Sequence, residues 1–287
     1  MGSVAGFEPI TEGEESQAFR FRSGRQTYVI RINVTSEGFE KDAFAFGKFG
    51  RRDLPIPKVK MIGQIDDHFF CISENIPGVT LQDIPENDLG PLLAPTARVL
   101  DVIAESDLEG MSGFGPFNAS GVGSDQSWQE FLTSISDFRR YDWASVSRII
   151  DAKKVDSFLS CLEKLVAYCP ETRQLIHGDF GSNNLLTDGS RITGVIDWSE
   201  AAIGDSAYDV ANILYWRNWL GCMQQQAQYF ESTLGPSPSL TARLLCYQLR
   251  IGLAEMYHNA MAEKPYAVAW ATSRCEELIS TFAGLPQ

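Results

Sequence analysis

Residues 175–209 read LIHGDFGSNNLLTDGSRITGVIDWSEAAIGDSAYD, a stretch in which short apolar runs alternate with acids, amides and glycines. Two of the apolar runs flank an Asp-Gly turn at 188–189, which is the pattern of a β-hairpin. The two predicted strands are 185–187 and 192–196. Because a hairpin returns to the end at which it began, Asn184, before the first strand, and Asp197, after the second, should lie side by side. Asp179, on the loop that leads into the hairpin, should reach the same end.

The spacing of these polar residues is typical of phosphoryl transfer. His177 stands two positions before Asp179, and Asn184 stands five after it, which fits the kinase-type pattern H-x-D-x-x-x-x-N. Mg²⁺ prefers hard oxygen ligands and takes one or two of them from the protein. We therefore predict that Asn184 and Asp197 hold Mg²⁺ and that Asp179 accepts the proton of an attacking hydroxyl. The letters D-F-G, read from Asp179 onward, also spell a metal-binding kinase motif, but their place directly behind His177 favours Asp197 as the metal ligand.

The composition excludes several classes of function. The chain has 287 residues, enough for one large domain or two lobes, and its formal net charge of -13 argues against a nucleic-acid partner but suits a cationic small molecule. It has neither a run of about 18 apolar residues nor a basic segment followed by an apolar core, so we predict no membrane span and a cytoplasmic location. Six scattered cysteines without a C-x-x-C pair predict reduced thiols.

The apolar pattern changes along the chain. Alternation predicts strands in the N-terminal part, at 17–21, 27–32, 59–65 and 69–73. Helical spacing predicts a helix over 39–49, with Phe39, Ala43, Phe46 and Phe49 on one face. After Pro77 helical periods dominate, at 89–103, 128–135, 155–169, 208–216, 222–230, 242–257 and 269–279. This change predicts two domains, at 1–76 and 77–287.

The motif at 175–209 and further segments along nearly the whole chain resemble the aminoglycoside phosphotransferase family, and within it the branch that acts on hygromycin B. The segments that carry the resemblance are 12–19, 54–57, 78–83, 112–117, 179–184, 195–200 and 249–253. The resemblance implies an α+β, two-lobed protein-kinase-like fold. The N-terminal lobe, at 1–76, would be small, β-rich and nucleotide-binding, and the C-terminal lobe, at 77–287, would be larger, mainly helical, catalytic and substrate-binding. It also implies an antibiotic-resistance kinase that transfers the γ-phosphoryl group of ATP or GTP to a hydroxyl of hygromycin B, a cationic aminoglycoside. We expect a monomer.

The resemblance further implies a set of nucleotide contacts. Residues 12–16 would form a loop over the phosphates, where the Ser16 hydroxyl could reach phosphate oxygens. Arg31 takes the place of the strand lysine of kinases, and its planar fork can hold phosphate oxygens. The segment from Glu74 to Ile76 would be the hinge whose backbone pairs with adenine.

Two supporting acids are expected in a fold of this kind. An acid on the helix after Arg31 should orient that cation; Glu37, Glu40 and Asp42 compete, and we prefer Asp42. An acid near the start of the helix that follows the catalytic stretch should brace the catalytic loop, and both Asp205 and Asp209 are candidates.

Acceptor binding is expected from carboxylates, amides and aromatic faces, which suit an aminocyclitol rich in ammonium and hydroxyl groups. The candidates are Asn183, Glu200, Trp216, Trp219 and Glu255. Two alternatives stay open. The first is a kinase of the same fold that acts on another aminoglycoside or on a small cellular alcohol such as choline or a sugar. The second is a catalytically silent nucleotide-binding protein, against which the intact set of Asp179, Asn184 and Asp197 argues.

Overall fold

The computed structural model of the protein describes residues 4–10, 17–235 and 237–285. The chain divides into two compact units. The first comprises Met1–Ser112, Pro116–Val122 and His177–Ala202, and the second comprises Gly113–Gly115, Gly123–Ile176 and Ile203–Gln287. These units are defined by packing, whereas the predicted boundary after residue 76 follows the order of the chain, and a lobe boundary at that point stays a prediction.

The first unit contains an antiparallel five-stranded sheet in the order β1-β2-β3-β5-β4. Its strands are β1 (Val4–Ile10), β2 (Gln17–Ser23), β3 (Gln26–Asn33), β4 (Val59–Ile65) and β5 (His68–Glu74). Strands β2 to β5 agree with the predictions to within two residues at each end. The sequence did not predict β1, because Gly6 and Pro9 interrupt its pattern and its pairing with β2 shifts register between Ala5 and Glu8.

The helices of the first unit are α1 (Glu37–Phe49) and α2 (Gly90–Ala104), with short 3₁₀ turns at Leu81–Asp83 and Glu86–Asp88. The predicted face of α1 was partly wrong. Phe39 and Phe49 are buried, but Ala43 and Phe46 are only half-buried. The buried stripe is completed by Lys41, Asp42 and Ala45. The buried stripe is shifted because Lys41 and Asp42 are hydrogen-bonded to main-chain groups inside the first unit.

The predicted hairpin forms within the same unit. It consists of β10 (Leu185–Thr187) and β11 (Ile192–Val195), with Leu185 opposite Val195, and β6 (Val79–Thr80) adds a third strand beside β10. Gly189 in the turn has φ 88°, a left-handed conformation that glycine adopts without strain.

The second unit is mainly helical and carries most of a four-stranded sheet in the order β8-β7-β12-β9. These strands are β7 (Phe114–Phe117), β8 (Gly123–Asp125), β9 (Gln174–Ile176) and β12 (Ala202–Gly204). The helices are α3 (Trp128–Thr133), α4 (Ala152–Val166), α5 (Ala207–Trp216), α6 (Gly221–Leu234), α7 (Pro238–Met261) and α8 (Pro265–Ala283), with a 3₁₀ turn at Ser134–Ser136. Every helix predicted from the sequence is present, and α6, α7 and α8 extend beyond the predicted ends.

All six cysteines lie among the described residues, and each is a free cysteine. In the described part of the chain, no helix combines the length and the apolar character needed to cross a membrane.

Candidate active site

The hairpin brings Asn184 and Asp197 to the same end, as the sequence predicted. The Ile196 amide donates a hydrogen bond to the Asn184 carbonyl oxygen at 3.0 Å, which continues the ladder one residue beyond the paired strands. Asp197 therefore follows directly on a residue that is bonded to Asn184.

Asn184 also fixes the loop that carries Asp179. Its Nδ2 donates to the Asp179 main-chain oxygen at 2.8 Å and to the Asp179 Oδ2 at 2.9 Å. Asn184 is buried and Asp179 is half-buried. A single amide group thus holds both the backbone and the carboxylate of Asp179, and it aligns the carboxylate before any ligand binds.

Asp197 adopts an unusual backbone conformation, with φ 61°, in the left-handed region that side chains other than glycine rarely occupy. Such strain is concentrated at functional sites, where surrounding contacts maintain it. The Asp197 Oδ1 accepts a hydrogen bond from the Ser199 hydroxyl at 2.8 Å, which is one of those contacts.

The donor set fits a hard divalent cation. Among the described residues, the Oδ1 of Asn184 and the Oδ2 of Asp197 accept no hydrogen bond, so each presents an oxygen. In the same part of the chain, no group of three or more His, Cys, Asp or Glu residues could hold a metal. Mg²⁺ needs only one or two protein oxygens when phosphates and water complete its shell.

His177 supports the loop from inside. It is fully buried, its ring centroid lies 4.8 Å from that of Trp198, and its Nε2 lies 3.0 Å from the Ile196 carbonyl oxygen. Since a carbonyl can only accept, the proton is on Nε2. Burial lowers the pKa of His177 to about 4, although the Ile196 carbonyl and the nearby Asp197 oppose the shift. A neutral imidazole is therefore a structural link between the loop and the end of β11.

Gly178 allows close contact between two backbone segments. Its φ is 87°, and a Cβ at this position would collide with the Glu200 carbonyl oxygen. Both the conformation and the space require glycine here, immediately before Asp179.

Arg31 on β3 forms an ion pair with Asp42 on α1, so the preference for Asp42 over Glu37 and Glu40 is confirmed. The Asp42 Oδ1 also accepts a hydrogen bond from the Trp198 amide at 2.9 Å, and Trp198 is the residue after Asp197. Burial acts to lower the pKa of Arg31, but the carboxylates of Asp42 and Asp197 outweigh it and raise that pKa. The guanidinium is therefore a fixed cation on the Asp197 side of the unit.

In the predicted hinge, Glu74 and Ile76 already make contacts within the first unit. The Glu74 carboxylate pairs with the Lys60 ammonium at 2.5 Å, and the Glu74 amide donates to the Lys58 carbonyl oxygen at 2.9 Å. The Ile76 side chain packs against Gly194 of β11. Any role of Glu74 and Ile76 in binding adenine rests on their remaining backbone groups. Ser16 and the loop 12–16 lie outside the described residues.

The expected acceptor-binding residues fall in both units. Asn183 and Glu200 are exposed in the first unit. In the second unit, Trp216 is half-buried and Trp219 is 53% exposed, while Glu255 on α7 accepts a hydrogen bond from the Asn259 amide at 3.1 Å.

An aromatic residue that the sequence did not single out joins the two tryptophans. Trp270 on α8 stacks on Trp216, with centroids 5.0 Å apart and planes at 8°, and meets Trp219 edge-on at 5.0 Å. Nothing in the local sequence pairs Trp270 with α5, because α8 begins about fifty positions later in the chain.

A second missed residue is Lys41, which is buried beside Asp42 on α1 and donates to main-chain oxygens of Ser199 and Ala201. The spacing shows that Gly38, Lys41 and Asp42, at i, i+3 and i+4, share a helix face, but it does not reveal the partners of Lys41.

Of the two acids expected to brace the catalytic loop, Asp205 has its partners within the second unit. It accepts hydrogen bonds from Arg243, Tyr247 and the Ala207 amide. Asp209 is also buried in that unit, in the first turn of α5.

Comparison with known proteins gives consistent matches. The sequence profile of the phosphotransferase enzyme family matches residues 6–238. Hygromycin-B 4-O-kinase from Escherichia coli is 44% identical to this chain over 286 residues, which make up 98% of this chain and 83% of that protein.

Solved structures agree with the sequence matches. A thermostable mutant of aminoglycoside phosphotransferase APH(4)-Ia, in ternary complex with AMP-PNP and hygromycin B, has a TM-score of 0.93 at 44% identity, over 98% of this chain and 96% of that chain. The GDP complex of an aminoglycoside 2'-phosphotransferase-IIIa mutant has a TM-score of 0.66 at 15% identity, over 98% of this chain and 94% of that chain, and this likeness shows the fold alone. The predicted α+β, protein-kinase-like fold is confirmed.

Proposed function

Because the chain belongs to the phosphotransferase enzyme family, we propose that it transfers the γ-phosphoryl group of a nucleoside triphosphate to a hydroxyl of hygromycin B. The Escherichia coli relative is a 4-O-kinase, and we extend its acceptor position, the 4-hydroxyl, to this chain. The consequence is phosphorylated hygromycin B and a nucleoside diphosphate.

One observation carries the assignment of the reaction. The Asn184 side-chain amide donates to the Asp179 carboxylate at 2.9 Å, and the Asn184 main-chain oxygen accepts a hydrogen bond from the amide of Ile196, the residue that precedes Asp197. These bonds support the proposal that Asp179 is the base and that Asn184 and Asp197 are the metal ligands, because they hold all three residues at one end of one hairpin. This is the arrangement that phosphoryl transfer requires, because little covalent chemistry is left to the protein beyond positioning and charge neutralisation.

In the proposed step, the acceptor oxygen forms a bond to the γ-phosphorus while the bond from that phosphorus to the β–γ bridging oxygen breaks. The proton of the acceptor hydroxyl passes to the Asp179 carboxylate. The bond from the Asn184 amide to the Asp179 Oδ2 fixes the orientation of the carboxylate that would accept this proton.

Asn184 and Asp197 would hold Mg²⁺ through the oxygens that they present. When bound, Mg²⁺ would neutralise the charge that develops on the phosphate oxygens. Arg31 would add a second positive group, because Asp42 occupies one end of its fork and the guanidinium has further N–H groups for phosphate oxygens. Roles for Ser16, Glu74 and Ile76 in nucleotide binding stay predictions, as does the choice between ATP and GTP.

Hygromycin B is a cation, and the chain has a formal net charge of -13. Asn183 and Glu200 are exposed in the unit that contains Asp179, and a carboxylate can pair with an ammonium group of the acceptor. Roles for Trp216, Trp219 and Glu255 in acceptor binding stay predictions, and so do the monomeric state and the cytoplasmic location.

The test is direct. Purified protein is incubated with hygromycin B, Mg²⁺ and either ATP or GTP, and the antibiotic is analysed by mass spectrometry for an added phosphoryl group and by phosphorus NMR for its position. The Asp179→Ala protein is the control, since it keeps the Asp179 main-chain oxygen that Asn184 binds. The expected result is nucleotide-dependent product with the parent protein and none with the control.

The experiment distinguishes a wrong acceptor from a wrong nucleotide site. Mg-nucleotide binding without phosphorylated hygromycin B would overturn the acceptor, and a panel of other aminoglycosides, choline and sugars would then identify the acceptor class. Loss of nucleotide binding altogether would overturn the roles given to Arg31, Asn184 and Asp197.

A further inference from the structure

Lys41 has surroundings that are unusual for a lysine. The residue is 3% exposed, and its Nζ donates hydrogen bonds to the main-chain oxygens of Ser199 and, at 3.1 Å, of Ala201. The same Nζ lies 5.2 Å from the centroid of the Phe117 ring, a cation–π distance. Ala201 also accepts from the Phe117 amide at 3.3 Å, so the ammonium group is enclosed by one short stretch of backbone and an aromatic ring.

The helix α1 contacts that stretch along one face. A Cβ added at Gly38 would lie 3.3 Å from the Ser199 Cβ, so the helix approaches closely there. One turn later Lys41 donates to the carbonyls of the stretch, and Asp42 accepts from the Trp198 amide at 2.9 Å. Neighbouring side chains of opposite charge therefore bind both kinds of main-chain group in residues 198–201.

This stretch, which we call the 198–201 segment, is connected to both acids of the proposed reaction. Ser199 donates its hydroxyl to the Asp197 carboxylate at 2.8 Å. The Glu200 carbonyl lies against Gly178, which directly precedes Asp179. Movement of the segment would therefore disturb the left-handed backbone of Asp197 and the loop of Asp179 together.

The burial of a lysine side chain is energetically unfavourable. Burial of an ammonium group costs several kcal/mol unless hydrogen bonds and opposite charges offset it. Burial lowers the pKa of Lys41, and the carboxylates of Glu200, Glu37, Asp42 and Asp197 oppose that shift. Packing alone would be served as well by Met, so the charge needs another explanation, and the two charge-assisted hydrogen bonds supply it.

We propose that Lys41 is a positioning residue for phosphoryl transfer, which holds the 198–201 segment so that Asp197 and Asp179 keep their catalytic geometry. The inference rests on the proposed function of Asp197 and Asp179, but it does not depend on which acceptor is used. A small displacement of reacting groups is enough to cost about 100-fold in rate, so removal of the ammonium group has a measurable consequence.

The first test compares Lys41→Met with Lys48→Met. Lys48 lies on the same helix and also donates to a main-chain oxygen, that of Glu109 at 2.6 Å, but it has no contact with the 198–201 segment among those described. We expect Lys41→Met to lower kcat about 10- to 100-fold, to weaken the gain in nucleotide affinity that Mg²⁺ produces, and to speed hydrogen exchange in residues 197–201. Lys41→Arg should restore part of each effect, and Lys48→Met should match the parent protein.

The second test needs no change of charge and addresses the case in which Lys41→Met fails to fold. In Gly38→Ala the new methyl group would lie 3.3 Å from the Ser199 Cβ, so Ser199 would have to give way by a few tenths of an ångström, whereas in Gly47→Ala, on the same helix, the methyl group meets no atom within 4 Å beyond its chain neighbours and its own helix backbone. Both changes favour the helix by about 1 kcal/mol. We expect Gly38→Ala to lower kcat, measured at a temperature where the variant stays folded, and Gly47→Ala to leave kcat unchanged.

Two results would overturn the proposal. One is a Lys41→Met protein whose melting temperature falls while its kcat and Mg²⁺-dependent nucleotide affinity stay at parental values; the other is equal kinetics for Gly38→Ala and Gly47→Ala. The nucleotide-affinity and exchange measurements use ATP and Mg²⁺ alone, so they decide the role of Lys41 even if the parent protein does not phosphorylate hygromycin B.

Discussion

Two buried carboxylates, one in each unit, have almost the same chemistry and different consequences. Asp42 in the first unit pairs with Arg31, and Asp205 in the second pairs with Arg243. The side chains of the two acids are 9% and 0% exposed, and those of the two arginines are 20% and 27% exposed. By burial and pairing alone the two ion pairs are equivalent.

The two ion pairs differ in the other hydrogen bonds that Asp42 and Asp205 accept. Asp42 also accepts from the Trp198 amide, which adjoins Asp197, so its second contact leads into the candidate site. Asp205 also accepts from the Tyr247 hydroxyl and from the Ala207 amide at 3.1 Å. Its contacts therefore tie the start of α5 to α7.

The Asp205 network continues into an aromatic core. Tyr247 accepts a hydrogen bond from the Trp128 indole at 3.1 Å, and the two rings meet edge-on at 5.8 Å. Tyr208 packs against both of these rings. A buried arginine–carboxylate pair is thus no evidence of catalysis by itself. The role of the pair depends on the other groups to which the carboxylate is hydrogen-bonded. We expect substitutions to separate a pair that positions chemistry from a pair that stabilises architecture.

We expect the largest loss of kcat when the proposed catalytic base is removed, and the other substitutions are compared with this loss. Asp179→Ala removes the proposed base, and we expect kcat to fall about 1,000-fold, because a positioned general base contributes 10²- to 10⁴-fold. Stability and nucleotide affinity should change little, since the main-chain oxygen of residue 179 still binds Asn184. Steady-state kinetics and calorimetric nucleotide titration measure both quantities. A large loss of nucleotide affinity would contradict the role as base.

Asp42→Ala should reduce both activity and stability. It leaves Arg31 buried without its carboxylate and the Trp198 amide without its acceptor, and breaking a buried pair costs about 3–5 kcal/mol. We expect kcat to fall about tenfold or more in addition. Urea unfolding and kinetics at a temperature where the variant stays folded measure the two effects. The control is Asp53→Ala, which removes an exposed pair with Arg51 and should change neither.

Asp205→Ala should reduce stability alone. The loss should again be about 3–5 kcal/mol, because Arg243 and Tyr247 both lose a buried acceptor. Activity per folded molecule should stay within about twofold, since the described partners of Asp205 all belong to the second unit. Glu231→Gln, at the exposed pair with Arg217, is the matched control, with an expected cost below about 1 kcal/mol. A drop in kcat comparable to that of Asp42→Ala would erase the distinction between the two pairs.

The smallest effect concerns pH. His177 has a pKa of about 4 in the folded protein, against an ordinary value near 6.5 in the unfolded chain. Between these values the unfolded chain binds a proton that the folded protein does not, so stability falls as the pH is lowered through this window, by at most about 3 kcal/mol. We expect the free energy of unfolding of His177→Gln to depend less steeply on pH from neutral to about 4. His68→Gln, at an exposed position, should retain the parental slope, and a parental slope in His177→Gln would refute the assignment.

Within the candidate site, the part that could be predicted from the sequence is local. His177, Asp179 and Asn184 are separated by a few positions in one loop, and the Asp-Gly turn fixes which residues of the hairpin meet, so short-range geometry was enough to bring Asn184 beside Asp197. The preference for Asp42 as the partner of Arg31 was also correct, but it came from resemblance to a known fold and not from a local pattern.

The sequence by itself therefore determined which polar residues of the stretch 175–209 meet, where the main helices and six of the strands lie, and the family to which the chain belongs. Only the tertiary structure decided what holds that stretch in place. Lys41 lies 158 positions before Ser199, and Trp270 joins Trp216 from a helix far along the chain, so no period or spacing could associate them. The physical reason is that hydrogen bonding within loops and hairpins is specified by neighbours in sequence, whereas burial of a charged side chain is specified by whatever backbone the fold packs against it.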